Sequence, residues 1–350
     1  MKIYDIINAR IVNFLFFFII VVFSAEICAQ DVKFSQYYSS PLSVNPALCG
    51  VFSGKFRIMG NYRNQWQEIM YPYTTGTVST EMQLQGEEIG DDISGIGFHS
   101  ITDKSNNGGL RNSSIAGTVS YHKAIDAEGF SRIGIGLQAA YASKIIDYSK
   151  LTFETQFTPN GYDISLPTNE MSSGFSMNYL DYSGGILYSY LSGDANFYVG
   201  AAVSHLSRPR ETYGSFSARL PLRYTIHAGA SLVVGDMNAL YGSVMQLRTA
   251  QSNQTTGGLV YGFNLNGMED NDANEFLIGS WIRLRDAVVP YLGLKIGNVH
   301  AGLSYDITTS SKLTVANRGM GGLELSMQVI LDRNPNKAIL KKTKCKFVLY

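Results

Sequence analysis

Apolar and polar residues alternate along most of the chain beyond residue 54. In the stretch from Ile133 to Tyr141, one face carries large apolar residues and a terminal tyrosine, while the other carries small or polar residues. The same alternation recurs in residues 222–231, 259–266 and 322–329. Period two over segments of about ten residues is typical of membrane strands that have lipid outside and water inside. The pattern therefore predicts an all-β protein, a transmembrane antiparallel β-barrel.

Segments of this kind predict about 14 strands. An even number fits a closed antiparallel barrel with both chain ends in the periplasm, and closure leaves no unpaired edge in hydrocarbon. The predicted strands cover residues 55–66, 72–85, 93–102, 111–124, 130–143, 178–191, 195–206, 219–235, 238–249, 254–266, 274–285, 288–297, 299–309 and 319–331.

The lengths of the connections give an independent check. With a periplasmic start, connections after even-numbered strands should be short and those after odd-numbered strands longer. The tight connections at 191–194, 235–237 and 297–298 follow even-numbered strands, and the longest, at 144–177, follows an odd-numbered one. Three connections deviate (86–92, 267–272 and 285–287), so a strand count that differs by two stays open.

The beginning of the chain predicts a cleaved secretory signal peptide, residues 1–29. Lys2 and Arg10 are positive, residues 11–23 are mainly apolar, and small residues precede an expected cleavage site near Ala29–Gln30. The apolar run is shorter than the roughly 20 residues of a membrane helix. We therefore expect a periplasmic N-terminal segment at 30–54, an outer-membrane barrel at 55–331, and a periplasmic C-terminal tail at 332–350.

The charge balance limits the classes of partner that the chain can bind, and the cysteine content leaves one disulfide open. Basic and acidic residues number 28 each, so the formal net charge is zero, and the chain lacks the basic excess that nucleic-acid binding needs. The expected partners are outer-membrane lipid and other proteins. Cys49 and Cys345 remain after cleavage, and a bridge between them in the oxidising periplasm is one open alternative.

Histidines and glycines are the other candidates for chemistry. His227 and His300 fall on the predicted lumen face, where a structural role is expected. The chain has neither a histidine pair with metal-ligand spacing nor a Cys-x-x-Cys motif. The sequence thus predicts no catalytic, cofactor-binding or metal-binding residue, and no enzyme. The pairs Gly184-Gly185 and Gly257-Gly258 open no helix after a parallel strand, so they predict bends or close-packing points.

A hydrolase at the barrel rim is one alternative. His205 and Ser207 lie at a predicted strand end, and Glu211 could orient His205, as activation of a serine requires. Arg208 and Pro209 follow directly, which favours a capping or turn role.

Short motifs spread along the chain resemble those of a known family. Near the beginning they are Gln30-Asp31, Phe34-Ser35-Gln36-Tyr37-Tyr38, Pro41-Leu42, Asn45-Pro46-Ala47 and Tyr62-Arg63-Asn64-Gln65-Trp66. Later they are Ser204-His205-Leu206 with Pro209, Ile278-Gly279 to Arg283-Leu284, Tyr305-Asp306, and Gly321-Gly322 with Glu324-Leu325-Ser326. Together they span essentially the whole mature chain and resemble the PorP/SprF family, the type IX secretion-associated membrane proteins of Bacteroidetes. Cys49 and the tail beyond Leu331 depart from the family pattern.

The resemblance implies a function without catalytic residues. It implies an outer-membrane barrel that serves secretion or surface display of a cognate cargo, an adhesin-like protein with a C-terminal sorting domain, in some members for gliding motility. Other secretion components on the periplasmic side are further expected partners. The alternative function is a passive porin or transporter for small or hydrophobic molecules. The N-terminal segment is expected to be a plug, a latch or an interaction site, and the loop at 144–177 is expected to hold the displayed protein.

Overall fold

The structure is a closed antiparallel barrel of 14 strands, which confirms the predicted class and strand number. The computed structural model describes residues 32–66, 72–84, 91–105, 108–159, 161–163, 165–167, 175–192, 195–213, 216–235, 238–250, 252–265, 274–310 and 320–331. The predicted signal peptide and the tail at 332–350 lie outside these residues, and the domain boundaries stay predictions.

Each barrel strand pairs with its neighbours in the chain, and β1 closes the barrel against β18. The barrel strands are β1 Phe56–Gln65, β2 Tyr73–Leu84, β3 Ile93–Ser105, β4 Leu110–Ala124, β5 Ser131–Ile146, β8 Phe175–Leu191, β9 Ala195–Ser204, β12 Arg223–Val234, β13 Asn238–Arg248, β14 Asn253–Asn264, β15 Glu275–Arg283, β16 Ala287–Ile296, β17 Val299–Thr308 and β18 Met320–Leu331. Two small hairpins, not predicted, lie in the long connections: β6 Phe157–Thr158 with β7 Gly161–Tyr162, and β10 Arg210–Tyr213 with β11 Phe216–Arg219.

The barrel has two distinct ends. We call the end where β1 begins and β18 ends the short-turn end, and the opposite end, where β5 and β9 end, the long-loop end. The lengths of the connections predict that the short-turn end faces the periplasm and the long-loop end faces the cell exterior.

Alternating burial along the strands explains why this sequence forms a membrane barrel. In β17, every second residue is buried and the others are exposed, as expected for a strand with one face toward lipid. Exposed aromatic side chains lie toward both ends of the strands. Those toward the long-loop end are Tyr62, Tyr141, Tyr182, Tyr224 and Tyr305, and those toward the short-turn end are Phe56, Tyr121, Phe197, Phe263 and Phe276. These two girdles mark the edges of the lipid-facing band. Among the described residues, no helix is long and apolar enough to cross a membrane.

One predicted strand begins later than expected. The sequence predicted a strand at 219–235, but β12 begins at Arg223 and Arg219 belongs to the hairpin strand β11. Pro221 separates the two, and proline offers no backbone donor to a strand ladder.

The N-terminal segment fills the barrel lumen. Residues 34–42 and 44–54 are almost wholly buried and lie inside the barrel, against side chains from both sides of the wall. This lumen plug, which we define as residues 32–54, contains short helical turns at Tyr37–Ser39, Pro41–Val44 and Pro46–Leu48. A plug was one of the predicted forms of this segment. Its described part lies within the barrel and not beside it.

Candidate functional site

The lumen plug runs through the barrel from one end to the other. Its first residues lie at the long-loop end, where Lys33 Nζ donates to Ser252 Oγ at 2.9 Å in the connection between β13 and β14. Its last residues lie at the short-turn end, where the N–H of Gly50 donates to Glu81 at 3.2 Å. The chain then turns back into β1, and the N–H of Lys55 pairs with the carbonyl of Leu331 at 3.2 Å.

Glu324 on β18 anchors the plug near the long-loop end. Its carboxylate accepts hydrogen bonds from the backbone N–H groups of Ser35 at 2.8 Å and Gln36 at 2.9 Å. The side-chain amide of Asn61 donates to the same carboxylate at 2.8 Å, and Arg63 lies 3.6 Å away. A carboxylate buried this deeply needs such donors to offset the loss of water.

Asp306 on β17 extends this anchor into a buried ion-pair network. Its carboxylate accepts from Ser35 Oγ at 2.7 Å, from Arg63 at 2.5 Å and from Arg283 at 2.9 Å. Arg283 also donates to Ser35 Oγ at 2.9 Å. Two acids and two arginines thus balance in charge around Ser35. Removal of one partner from such a network leaves an uncompensated buried charge.

The network brings together motifs that lie far apart in the sequence. Each of five such motifs contributes one residue to the same place: Ser35, Arg63, Arg283, Asp306 and Glu324. Sequence analysis did not predict any of these residues as part of a functional site. The available signal was their position, because each charged residue falls on the lumen-facing register of its strand.

Aromatic packing holds the centre of the plug. The ring centroids of Tyr38 and Trp281 are 5.0 Å apart, and Tyr37 meets Trp281 edge-on at 5.9 Å. Tyr38 also meets Tyr291 at 6.1 Å, and the Tyr37 hydroxyl lies 2.5 Å from Ser243 Oγ. The aromatic side chains belong to one apolar cluster contributed by the plug, by β13–β16, and by Leu187 of β8 and Tyr198 of β9. The lumen therefore contains a packed core.

The turn at Asn45 fits a cradle of glycines on the opposite wall. Asn45 Nδ2 donates to the carbonyl of Ile186 at 3.0 Å and lies 3.0 Å from His227 Nε2, while its Oδ1 caps the next turn. A Cβ atom at Gly136 would overlap the backbone of the plug, and one at Gly185 would overlap the Asn45 side chain. The close-packing role predicted for Gly185 is confirmed. His227 has the structural surroundings that its lumen position predicted.

The short-turn end of the plug is held around Cys49. Arg57 forms a bidentate pair with Glu81 at 2.8–2.9 Å, and Glu81 accepts from the plug backbone. Ser120 Oγ donates to the carbonyl of Cys49 at 2.7 Å. Cys49 is fully buried, and because Cys345 lies outside the described residues, the bridge between them stays an open alternative.

A polar cavity of about 140 Å³ lies beside the plug at the long-loop end. Plug residues Val32 and Ser43 line one side, and β3, β4, β5, β8 and β9 line the other with hydroxyl and amide side chains. Lys144 pairs with Glu211 at 3.0 Å at its mouth. A cavity of this volume is large enough to hold water.

His205 and Ser207 share a carboxylate partner in place of bonding to each other. His205 Nδ1 lies 2.7 Å from Asp181, and Ser207 Oγ donates to Asp181 at 3.1 Å and to the carbonyl of Leu180 at 3.0 Å. Asp181 therefore orients His205, while Glu211 pairs with Lys144. This geometry favours the turn role over the hydrolase role. Within the described part of the chain, no group of three or more His, Cys, Asp or Glu residues is placed to hold a metal ion.

An exposed aromatic pair marks the longest connection. Phe157 and Tyr162 face each other across the β6–β7 hairpin with centroids 5.4 Å apart, and they are 60% and 42% exposed. In the same connection, Tyr148 and Phe153 pack edge-on at 6.1 Å and are half-buried.

Comparisons with known proteins place the chain in a family. The family described as type IX secretion system membrane protein PorP/SprF matches residues 27–327. No curated protein matches the chain. Among solved structures, the chain is similar to the toluene transporter TbuX of Ralstonia pickettii and to a FadL homologue of Pseudomonas aeruginosa. Each has a TM-score of 0.46 at 11% identity, covering 83% of this chain and 93% of the other.

A further similarity is to the translocator domain of the autotransporter NalP from Neisseria meningitidis, with a TM-score of 0.38 at 12% identity over 84% of this chain and 92% of that domain. The family match covers most of the chain and includes the motifs that meet around the plug. The chain belongs to the PorP/SprF family and is an outer-membrane β-barrel component of the type IX secretion system.

Proposed function

We propose that this barrel is a fixed surface partner for a cognate exported protein, an adhesin-like cargo with a C-terminal sorting domain, and that its lumen is not the export path. The observation that carries the proposal is the lumen plug, which occupies the barrel from Lys33 at one end to Gly50 at the other. A polypeptide could pass only if the buried ion pairs around Ser35 and the aromatic core around Trp281 came apart together.

The first experiment compares surface and secreted proteomes of cells with and without this protein. Loss of one large surface protein, or of a few, with other secretion intact supports a cargo-specific partner. Retention of all sorting-domain proteins in the periplasm would instead make the chain part of the general machine. An unchanged exported proteome would refute the role in secretion.

An engineered disulfide that fixes the plug to the barrel wall, called the lock below, distinguishes a barrel that only holds the cargo from one through which the cargo passes. A Cβ atom at Gly97 would lie 2.9 Å from Cys49 Sγ, close to the distance of about 3 Å between a Cβ atom and the far sulfur of a disulfide. Gly97→Cys should therefore join β3 to the plug, with Gly97→Ser as the matched control without sulfur. We expect normal display with the lock closed. Display that fails when the bond is closed and returns on reduction would make the lumen the path.

The passive-pore alternative is tested by conductance in planar bilayers. The plugged barrel should conduct poorly, and the locked Gly97→Cys variant should conduct no better. Large, steady conductance with the lock closed would favour the porin function over the secretion function.

We further propose that the exposed aromatic pair of the longest connection contacts the displayed protein. Aromatic residues at an exposed site supply much of the binding energy of protein interfaces. Replacement of Phe157 and Tyr162 by alanine should reduce surface retention of the cargo while the barrel still assembles. The half-buried pair Tyr148 and Phe153, replaced in the same way, is the matched control. Equal effects of the two double variants would contradict a direct contact.

A further inference from the structure

Strand β8 extends well beyond one of its two neighbours. It pairs with β5 along its whole length, up to Phe175 opposite Ile146. It pairs with β9 only from Gly184 to Leu191. Beyond Gly184, toward the long-loop end, β8 therefore has a barrel strand on one side only.

The sequence after β9 explains why the pairing stops. His205 and Arg208 adopt left-handed backbone angles, with φ of 63° and 44°, and Pro209 follows. Left-handed conformations are unfavourable for residues with a side chain, and they cluster at functional sites. They take the chain out of the ladder with β8 after two last hydrogen bonds, in which the N–H of Leu206 and the hydroxyl of Ser207 donate to the carbonyls of Tyr182 and Leu180. The next strand, β10, stays near β8 but pairs with β11.

The backbone of Ser176 and Asn178 is left facing outward. In an antiparallel ladder, the N–H and C=O of one residue point to the same side, and alternate residues point to opposite sides. Because the carbonyls of Leu180 and Tyr182 point away from β5, those of Ser176 and Asn178 do too. Neither residue has a backbone partner on that side among the described residues.

This free edge, the outward backbone groups of Ser176 and Asn178, lies beyond the lipid-facing band. A tilted membrane strand needs about 9–11 residues, whereas β8 has 17. Tyr182 belongs to the girdle on this side, and residues 176–180 continue past it toward the long-loop end. Natural edge strands are usually protected by lysine, proline or a bulge. The stretch from Phe175 to Leu180 contains no charged residue and no proline.

Exposed arginines flank the free edge. Arg210 and Arg219 stand directly opposite each other across the β10–β11 hairpin, and both are exposed, as is Arg208. Like charges in directly opposed positions destabilise a hairpin. Among the described residues, none of the three forms an ion pair within 4.0 Å. This local excess of positive charge fits an acidic partner.

We propose that the outer backbone edge of β8 at Ser176 and Asn178, with Arg208, Arg210 and Arg219, forms a docking site for an extended acidic segment of the exported protein, which joins the barrel wall as an added β-strand. An exposed row of alternating donors and acceptors matches an extended backbone, the mode known as β-strand addition. The inference rests on the proposed function, because it names the surface through which that partner is held.

The test replaces one backbone donor and leaves the ladder with β5 intact. Asn178→Pro removes the N–H that faces outward, and Asn178→Ala is the matched control that changes only the side chain. The readout is the surface level of the proteins that disappear when the whole chain is absent. We expect Asn178→Pro to lower that level about tenfold, equivalent to about 1.4 kcal/mol, and Asn178→Ala to leave it unchanged. Heat-dependent gel mobility verifies that each barrel is folded.

A charge exchange tests the acidic character of the partner. Arg210→Glu with Arg219→Glu should lower surface retention, while lysine at both positions should preserve it. Normal retention in the glutamate variant would overturn the acidic partner.

Two outcomes would overturn the docking site itself. The first is normal display with a folded Asn178→Pro barrel, while removal of the whole chain still abolishes display. That result would leave the proposed function standing. The second is that the unaltered chain forms a dimer, that Asn178→Pro is monomeric, and that display is unaffected. The edge would then bind a second copy of this chain.

Discussion

Two walls of this barrel hold the same plug by different physical means. On β13–β16, the lumen faces are large and apolar: Tyr241, Val260, Leu277, Trp281, Val289 and Tyr291 are all almost fully buried. On β3–β9, apart from Leu187 and Tyr198, the lumen faces are mainly small or polar, with glycines at the closest approaches to the plug and a cavity above them. The first wall holds the plug through apolar packing, and the second holds it through close shape complementarity and hydrogen bonds.

The two walls also differ in length. β15 and β16 have 9 and 10 residues, close to what crosses a bilayer, whereas β5 and β8 have 16 and 17. The apolar wall therefore ends near the membrane surface, while the polar wall projects beyond it and carries the β10–β11 hairpin. Both walls hold the plug, but only the longer strands of the polar wall extend past the lipid-facing band at the long-loop end.

The largest effect is expected on the apolar wall. Trp281→Ala should lower the free energy of unfolding by about 3–5 kcal/mol, because a fully buried aromatic ring leaves a cavity against Tyr37 and Tyr38. Ile282→Ala is the matched control, since Ile282 faces lipid and is 50% exposed. Guanidinium unfolding in lipid vesicles measures both variants. Equal losses would mean that the plug adds little to the stability of this wall.

A smaller effect is expected from the glycine cradle of the polar wall. Gly185→Ala places a Cβ atom on Asn45, whereas Gly184→Ala points away from the plug and meets its nearest atom at 3.7 Å. Overpacking typically costs about 1–3 kcal/mol, so Gly185→Ala should destabilise the barrel and raise its conductance, and Gly184→Ala should do neither. Conductance that stays low in a destabilised Gly185→Ala barrel would show that the plug relaxes without leaving.

The strands could be predicted from sequence because the lipid imposes one rule along every strand. Outward residues must be apolar wherever hydrocarbon surrounds them, so the period of two is visible without knowledge of the interior. The predicted strands match the observed ones closely, except where Pro221 delays β12 and where β3, β5 and β8 extend further toward the long-loop end. Those extensions lie outside the lipid, where the alternation is no longer enforced.

The plug site could not be predicted in the same way, because it depends on contacts between segments far apart in sequence. Ser35 meets Asp306 and Glu324 across more than 270 residues, and no local pattern encodes that pairing. One signal was present. β15 is apolar on both faces around Leu277, which favours burial on both sides over a water-filled interior. The polar lumen residues on β3–β9, in contrast, favour a water-filled interior.

A modest effect is expected at the polar floor of the cavity. Gln138 Nε2 donates to the carbonyl of Leu42 at 3.0 Å and to Thr118 Oγ1 at 2.9 Å. Gln138→Ala should lower the free energy of unfolding by about 1 kcal/mol, the usual net contribution of such bonds. A double-mutant cycle with Thr118→Val isolates the side-chain bond. A loss comparable to that of Trp281→Ala would remove the distinction between the two walls.

The smallest effect concerns pH at the short-turn end of the polar wall. The Tyr121 hydroxyl, the Ala124 N–H and the Lys123 ammonium donate to Asp92, and they lower the pKa of its carboxyl from 3.8 to about 2. Because the folded state favours the ionised form, this stabilisation is complete above pH 4 and is lost as the pH falls from 4 through 2. Asp92→Asn should therefore flatten the dependence of unfolding on pH in that window, while Asp91→Asn controls for loss of a carboxylate from the same turn. If Asp92→Asn keeps the wild-type slope between pH 4 and 2, the acid sensitivity of this wall arises elsewhere in the barrel.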